Sequence, residues 1–398
     1  MNKLSSYLAN LQRFGIKPGL ERIESLLKQV GEPQLQYPHL LVGGTNGKGS
    51  TCEFIARLLA HDNRRIGLYT SPHLYSWNER IRILPGDGLF EGAISDDDLD
   101  ELFEAALPYI DVVTKELGQP TEFEVITFLG LWHFARQKVD AVVLEVGLGG
   151  RWDATNVTDP LISAVTHVAL DHMDRLGNTL EEIAADKVCI ARPNRPFLTL
   201  ESKPNVLEVF ENYCETIEAK FEPIKPIGVN DFNNTNFDFA QKISARFSDL
   251  LGWKLGEQPY FPLQIRGRYE TIGSNPRVII DGANNPEGAE VLIEQLKHDE
   301  NLRGNIILVL GILADKDWAQ MTKLLVENAK IVICTSSDSP RALPAETLAK
   351  EALNHNPHTE LVHGIANAVA RAKELTTKND TILITGSFTT IAEVPRGL

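Results

Sequence analysis

Leu40-Leu41-Val42-Gly43-Gly44-Thr45-Asn46-Gly47-Lys48-Gly49-Ser50-Thr51 reads as a short apolar strand, a glycine-rich turn and a helix through Cys52–Leu59. That order suits a polyphosphate. Glycines let backbone N–H groups converge on phosphate oxygens, the helix N-terminus adds partial positive charge, and Lys48 adds a full one. The spacing departs from the standard phosphate loop. The run from Gly44 to Lys48 is short, and Gly49 intervenes between Lys48 and Ser50.

The chain around this stretch has 398 residues, room for two or three domains. Its 43% hydrophobic content is that of a globular protein. A formal net charge of −15 argues against nucleic acid or an anionic membrane as the main partner. An anionic substrate must therefore meet a locally positive site inside an acidic chain. Cys52, Cys189, Cys214 and Cys334 are scattered and form no C-x-x-C, which fits a reducing cytoplasm. No signal-type or membrane-spanning apolar run is evident, so the expectation is a cytoplasmic protein.

Outward from the loop, Leu20, Ile23, Leu26 and Leu27 give one apolar helical face upstream. Downstream, Ile66–Tyr69 is a second strand ending at Thr70-Ser71-Pro72-His73, and Ile81–Leu84 is extended. Ser95-Asp96-Asp97-Asp98 opens a helix toward Leu117. The acids suit a cap and the helix dipole better than a cation site. A helix over Glu122–Gln137, strands Ala141–Leu144 and Ile162–Val168, and a helix over Thr179–Ile190 with a capping-box spacing at Thr179 and Glu182 follow. This alternation predicts an α/β fold with a mostly parallel sheet. From Glu201 to Tyr260 the pattern weakens, and Ile224–Asn236 has no clear period. Alternation resumes near Arg277 and marks a smaller α/β domain. The hinge is placed near Gly267, giving domains over 1–267 and 268–398.

A phosphate loop needs hard oxygen ligands for Mg²⁺ from neighbouring strand ends. Ser71, Glu145 and His172 stand at three such ends. Gly147-Leu148-Gly149-Gly150-Arg151-Trp152 has tryptophan where a dinucleotide fingerprint needs glycine, and no helix pattern follows directly.

The loop with its lysine–glycine–serine spacing resembles that of the bifunctional dihydrofolate synthase/folylpolyglutamate synthase family of the Mur ligase superfamily. The match recurs in order along nearly the whole chain. It runs through Gly19–Ile23, Thr70–Leu74, Glu79–Ile81, Glu145–Arg151, Asp153–Asn156 and Leu170–His172. It continues through Gly267-Arg268, Asp281–Pro286, Asp315–Asp317 and Gly386–Phe388. The resemblance implies a Mur-ligase-like α/β fold: an N-terminal P-loop domain with a mostly parallel sheet and a smaller C-terminal Rossmann-like domain.

It further implies an amide ligase that uses ATP and two Mg²⁺ ions to join L-glutamate to dihydropteroate or a reduced folate. The implied catalytic set is Lys48, Glu145, His172 and Lys187. Thr45, Asn46, Gly47, Lys48, Gly49, Ser50, Asn236, Arg268 and Asp281 would bind ATP, and Ser71, Glu145 and His172 would bind the metal. The pterin substrate would lie against Ile16, Lys17, Pro18, Thr121, Glu122, Phe123, Glu124, Trp152, Asp153 and Ala154. Lys187 matches a lysine that the family carries as a carbamate. Read from residues alone, it is a helix-face lysine pairing with Glu182 or Glu181. The family expectation is a monomer.

Three departures stand out. Asn284 replaces a usual histidine, and an amide cannot relay a proton. The stretch from His172 to Asn236 is shorter than is common, which suggests a reduced strand group between the domains. Asn230, Asn233 and Asn234 compete with Asn236 for its assignment. Trp152 replaces a usual leucine. Two rival readings stay open: a Mur-type ligase acting on a cell-wall nucleotide, and an ATP-binding protein with a degenerate site.

Overall fold

The computed structural model describes residues 3–11, 18–60, 64–86, 91–225, 232–256, 261, 263 and 265–397. Ile16, Lys17 and Asn230 from the sequence reading lie outside them, as does the side chain of Asn233. The chain divides into two compact units, Met1–Tyr260 and Phe261–Leu398.

The first unit is built on seven strands: β1 (His39–Gly43), β2 (Ile66–Tyr69), β3 (Ile81–Leu84), β4 (Ala141–Glu145), β5 (Ile162–Val165), β6 (Pro196–Thr199) and β7 (Lys220–Pro223). Their order is β3-β2-β4-β1-β5-β6-β7, and only the β2/β3 pair is antiparallel. The sequence explains the centre. Every residue of β1 is buried, as a strand covered on both faces requires, and it pairs with β4 and β5. The helices are α1 (Lys3–Leu11), α2 (Glu21–Gln29), α3 (Lys48–Ala60), α4 (Asp96–Leu117), α5 (Glu122–Arg136), α6 (Met173–Leu176), α7 (Leu180–Lys187), α8 (Pro204–Thr216) and α9 (Phe232–Leu251).

Local signals act as expected at several ends. Ser95 Oγ accepts from Asp98 N at 3.0 Å, so the aspartates open α4 as a capped first turn. The Thr179–Glu182 capping box is only half made. Thr179 accepts from Glu182 N, but the Glu182 carboxylate takes Asn178 N instead of the cap residue's own N–H.

The stretch after residue 200 holds more order than its pattern suggests: α8, β7 parallel to β6, and α9. Helix α9 starts in the asparagine-rich run, where intrinsic helix propensity is low. It packs on α3, with Phe54 and Phe237 meeting edge to face at 5.1 Å. Tertiary burial overrides the local signal there.

The second unit carries β8 (Glu270–Ser274), β9 (Arg277–Ile280), β10 (Ile306–Leu310), β11 (Ile331–Cys334), β12 (Thr359–Leu361) and β13 (Thr381–Thr385), ordered β12-β11-β10-β13-β9-β8. Only β8 runs antiparallel to its neighbour. Its helices are α10 (Pro286–His298), α11 (Trp318–Val326), α12 (Ala345–Leu353), α13 (Ile365–Leu375) and α14 (Phe388–Ala392). The α/β reading with mostly parallel sheets therefore holds in both units. The edge strands β8 and β12 and the short α14 were not foreseen. Among the described residues, no helix is long and apolar enough to cross a membrane, and the four cysteines are free.

Candidate active site

Parallel strands β1, β4 and β5 end together, and near their C-terminal ends lie the loop with Lys48, Glu145 with Ser71, and Lys187. The loop after β1 is held from the β5 side. Thr45 N donates to His167 O at 2.7 Å, Ala169 N donates to Thr45 Oγ1 at 3.1 Å, and Thr166 Oγ1 donates to Asn46 O at 2.6 Å. Gly44 sits at φ +137°, and a Cβ there would lie 1.9 Å from Thr166 Oγ1. This position admits glycine alone. Thr166 is thus a loop-holding residue that sequence reasoning missed. Its place one residue beyond a buried strand was the available signal.

The helix begins earlier than the sequence reading placed it, at Lys48 itself, so Lys48, Gly49 and Ser50 form its first turn. A first turn carries N–H groups with no intrahelical acceptor, which suits an anion. Lys48 Nζ donates to Gly44 O at 3.0 Å and Thr45 O at 3.1 Å. A Cβ on Gly49 would lie 3.5 Å from both oxygens of Glu145, so the loop lies directly against that carboxylate. Glu145 closes β4, is buried, and accepts from Ser71 N at 2.9 Å. Ser71 and Glu145 therefore stand together. His172 adopts a left-handed backbone at φ 51°. Its N–H donates to Asp171 Oδ1 at 2.8 Å, and its Nε2 lies 3.8 Å from Asp171 Oδ2.

Lys187 is buried at the end of α7 and donates from Nζ to Gly44 O at 3.0 Å. The pairing with Glu182 or Glu181 is not made. Glu182 takes Asn178 N, and Glu181 takes Asn205 Nδ2. Two lysine side chains thus converge on one loop carbonyl. Burial first, and the charge of Lys48 second, lower the Lys187 ammonium to about 7. The glycines at 147–150 explain the close fit: a Cβ on Gly150 would meet Lys187 Cα at 2.9 Å, and one on Gly147 would meet Phe123 Cζ at 2.5 Å.

The residues expected around a pterin divide into two kinds. Thr121 and Glu124 form a capping box at the start of α5, and Glu124 also makes a buried ion pair with Arg22 at 2.9 Å. The Glu124 Oε2 atom is committed to structure, accepting from Thr121 N and Arg22 Nε, whereas buried Oε1 has no hydrogen-bond partner among the described residues and only the Arg22 charge beside it. Asp153 is buried, accepts from Leu148 N at 2.8 Å and Thr155 Oγ1 at 2.6 Å, and burial raises its carboxyl above the usual range. Ala154 is buried beside it. Phe123 packs on Tyr69, and Trp152 is 54% exposed. Pro18 is exposed and Glu122 half-buried.

Asn236 of α9 is fully buried, and neither amide atom has a hydrogen-bond partner among the described residues. Such an orphaned amide is costly in a protein interior, and a ligand's polar atoms are one way to satisfy it. Asn234, one of its competitors in the sequence reading, is exposed.

In the second unit, Asp281 follows β9 and is buried. Its oxygens accept from Tyr269 N and Ala283 N, each at 2.8 Å, and burial raises its carboxyl. Arg268 is exposed, its guanidinium 4.6 Å from the Phe388 ring centre. Asn284 is half-buried, and Asn285 caps α10 by accepting from Gly288 N at 2.8 Å.

A phosphate loop at the head of a parallel sheet, a buried carboxylate against it, and a second α/β unit define an ATP-dependent ligase of the Mur type. Residues 267–388 match the family described as Mur ligase, glutamate ligase domain. The dihydrofolate synthase/folylpolyglutamate synthase of Bacillus subtilis is 32% identical, over 99% of this chain and 98% of its own. The solved folylpolyglutamate synthase of Mycobacterium tuberculosis complexed with ADP is 28% identical. It superposes at a TM-score of 0.85, over 98% of this chain and 96% of that one. The bifunctional folylpolyglutamate synthase/dihydrofolate synthase of Yersinia pestis, complexed with AMPPNP and a Mn ion, is 26% identical at a TM-score of 0.80, with coverage of 98% and 96%. The chain belongs to the dihydrofolate synthase/folylpolyglutamate synthase family.

Proposed function

We propose that this ligase joins L-glutamate through an amide bond to the carboxylate of dihydropteroate, of a reduced folate, or of both. The observation that carries the reading is the loop itself: Lys48 and Lys187 meet at Gly44 O, and Glu145 lies against Gly49. A carboxylate is inert to amines at neutral pH and must be activated. In the proposed sequence it takes the γ-phosphoryl group of ATP, the amine of glutamate adds to the acyl carbon, and phosphate leaves. Phosphoryl transfer asks the protein mainly for position and charge neutralisation. Lys48 and the start of α3 supply positive charge, and Thr45, Asn46 and Gly47 shape the cradle. Asn236, with its unpartnered amide, adds a nucleotide contact within the first unit in this reading.

Mg²⁺ accepts few protein ligands and keeps waters and phosphate oxygens, so a ready cage of side chains is not required. Among the described residues, no three His, Cys, Asp or Glu side chains form one. The fit rests on the buried Glu145 carboxylate beside the loop, with Ser71 next to it and His172 as a third candidate. When bound, the ion would neutralise phosphate charge. Carbamylation of Lys187 belongs to the same proposal. A buried amine near pH 7 is partly neutral and nucleophilic toward carbon dioxide, and the product would be an anionic oxygen ligand. A cytoplasmic, monomeric enzyme goes with this reading.

The test is glutamate-dependent ADP release with dihydropteroate, tetrahydrofolate and a cell-wall nucleotide precursor as acceptors. Turnover with either of the first two supports the proposal. Turnover with the precursor alone would transfer the chain to the cell-wall reading. ATP binding without turnover on any acceptor would favour a degenerate site.

A further inference from the structure

Arg80 ends the short 3-10 turn Trp77–Arg80 and leads into β3. It is only 8% exposed. Its Nε donates to His73 Nδ1 at 2.9 Å, and its guanidinium lies 4.7 Å from the Trp77 ring centre. His73 itself packs on Trp77, with ring centres 4.3 Å apart. Because Nδ1 takes the Arg80 N–H, it carries no proton, and the histidine is a neutral acceptor. It orients the guanidinium without balancing it. The adjacent Glu79 does not balance it either: its oxygens accept from Leu74, Tyr75 and Ser76 N at 2.7–2.8 Å. Among the described residues, Arg80 makes no ion pair. A cation taken this far out of water without a counter-ion is costly unless something supplies one.

Its position says what can. Thr70 N donates to Arg80 O at 3.1 Å, so Arg80 lies beside the end of β2, one residue from Ser71. Its guanidinium is close to the Tyr69 hydroxyl, which also bonds Thr127 at 2.8 Å, and Tyr69 packs on Phe123. Arg80 therefore borders the acceptor wall. Arg80 leads into β3, and β1, the strand carrying the phosphate loop, is three places from it in the sheet, roughly 14 Å at ordinary strand spacing. Lys48 serves the phosphates on that side. A folate acceptor carries two carboxylates on its terminal glutamyl group, the one that reacts and an α-carboxylate that does not. Pteroate has only the reacting one.

We infer that Arg80 binds the non-reacting α-carboxylate of a folate acceptor and so sets the balance between the folate and pteroate reactions. A guanidinium offers two parallel N–H donors to a carboxylate, and glutamine cannot supply that charge. The inference rests on the proposed ligase function.

The experiment compares dihydropteroate, tetrahydrofolate and the α-carboxamide of tetrahydrofolate on wild type, Arg80→Gln and Arg80→Lys. Arg80→Gln is expected to raise KM for tetrahydrofolate at least tenfold more than KM for dihydropteroate, with Arg80→Lys in between. On wild type alone, the carboxamide should raise KM about tenfold, and Arg80→Gln should abolish that difference. The wild-type comparison stands even if the variants do not fold. Equal losses with both acceptors, or no discrimination against the carboxamide, overturn the inference, as does wild-type turnover confined to dihydropteroate. Absence of turnover with every acceptor instead overturns the ligase reading.

Discussion

Two strand–turn–helix junctions, one in each unit, use the same plan with opposite charge. After β1, Gly44–Gly47 leads into α3, and the Nζ atoms of Lys48 and Lys187 donate to one carbonyl. After β9, Asp281–Asn285 leads into α10, and a buried carboxylate collects two backbone N–H groups while Asn285 caps the helix. The first junction brings the Lys48 charge to a loop shaped for an anion. The second spends its polar groups on its own backbone and keeps Asp281 and the nearby Arg268 as the functional candidates. In the proposed function phosphate neutralisation falls to the first unit, and mutations at the two junctions should differ in kind.

The largest expected effect is at Lys48. Lys48→Ala should lower glutamate-dependent ADP release by on the order of 100-fold or more with the fold intact by circular dichroism. Near-normal turnover would remove the distinction between the junctions. Next is Gly44→Ala, whose new methyl meets Thr166. A loss of about 1–3 kcal/mol in denaturant unfolding is expected, partly recovered in a Thr166→Ala background. Simple additivity of the two changes would show that the loop is not held as described.

At the second junction, Asp281→Asn leaves one backbone N–H without its acceptor and is expected to cost about 1–3 kcal/mol of stability. Its effect on turnover should be smaller than that of Lys48→Ala. A larger loss of turnover would mean that Asp281 matters more to the reaction than the Lys48 charge does.

The smallest effects concern pH. For His39, burial lowers the imidazole from 6.5 to about 4. The unfolded chain binds the proton first, so this stability is present above pH 6.5 and is lost as pH falls toward 4, by up to about 3 kcal/mol. Acid unfolding of His39→Gln should be flatter across that window than that of wild type. An unchanged profile would locate the acid sensitivity elsewhere.

Much of this was legible in the chain. The strand Leu40–Val42, the glycines and Lys48 disclosed the phosphate loop. Apolar runs ending in Glu145 and Asp281 gave the strand ends, because a buried parallel strand is a continuous apolar word in the sequence. What was not legible depends on distant partners. Helix α9 forms from an asparagine-rich segment because α3 covers it. Lys187 resembles a surface lysine in its local sequence, yet the 147–150 glycines bring a loop down on it. Arg22 and Thr121 both donate to Glu124 Oε2, from 102 residues away in the first case, which its local sequence does not announce. Arg80 was visible only as part of a motif. Its lack of a carboxylate partner among the described residues is a fact of three dimensions.

The central claim is that the loop at Gly44–Lys48 serves to charge a carboxylate. Oxygen-18 placed in the acceptor's carboxylate tests it directly, by mass analysis of the phosphate released in a single turnover. Transfer through an acyl phosphate requires one labelled oxygen in each phosphate formed. Unlabelled phosphate, released in step with amide product, would contradict the account.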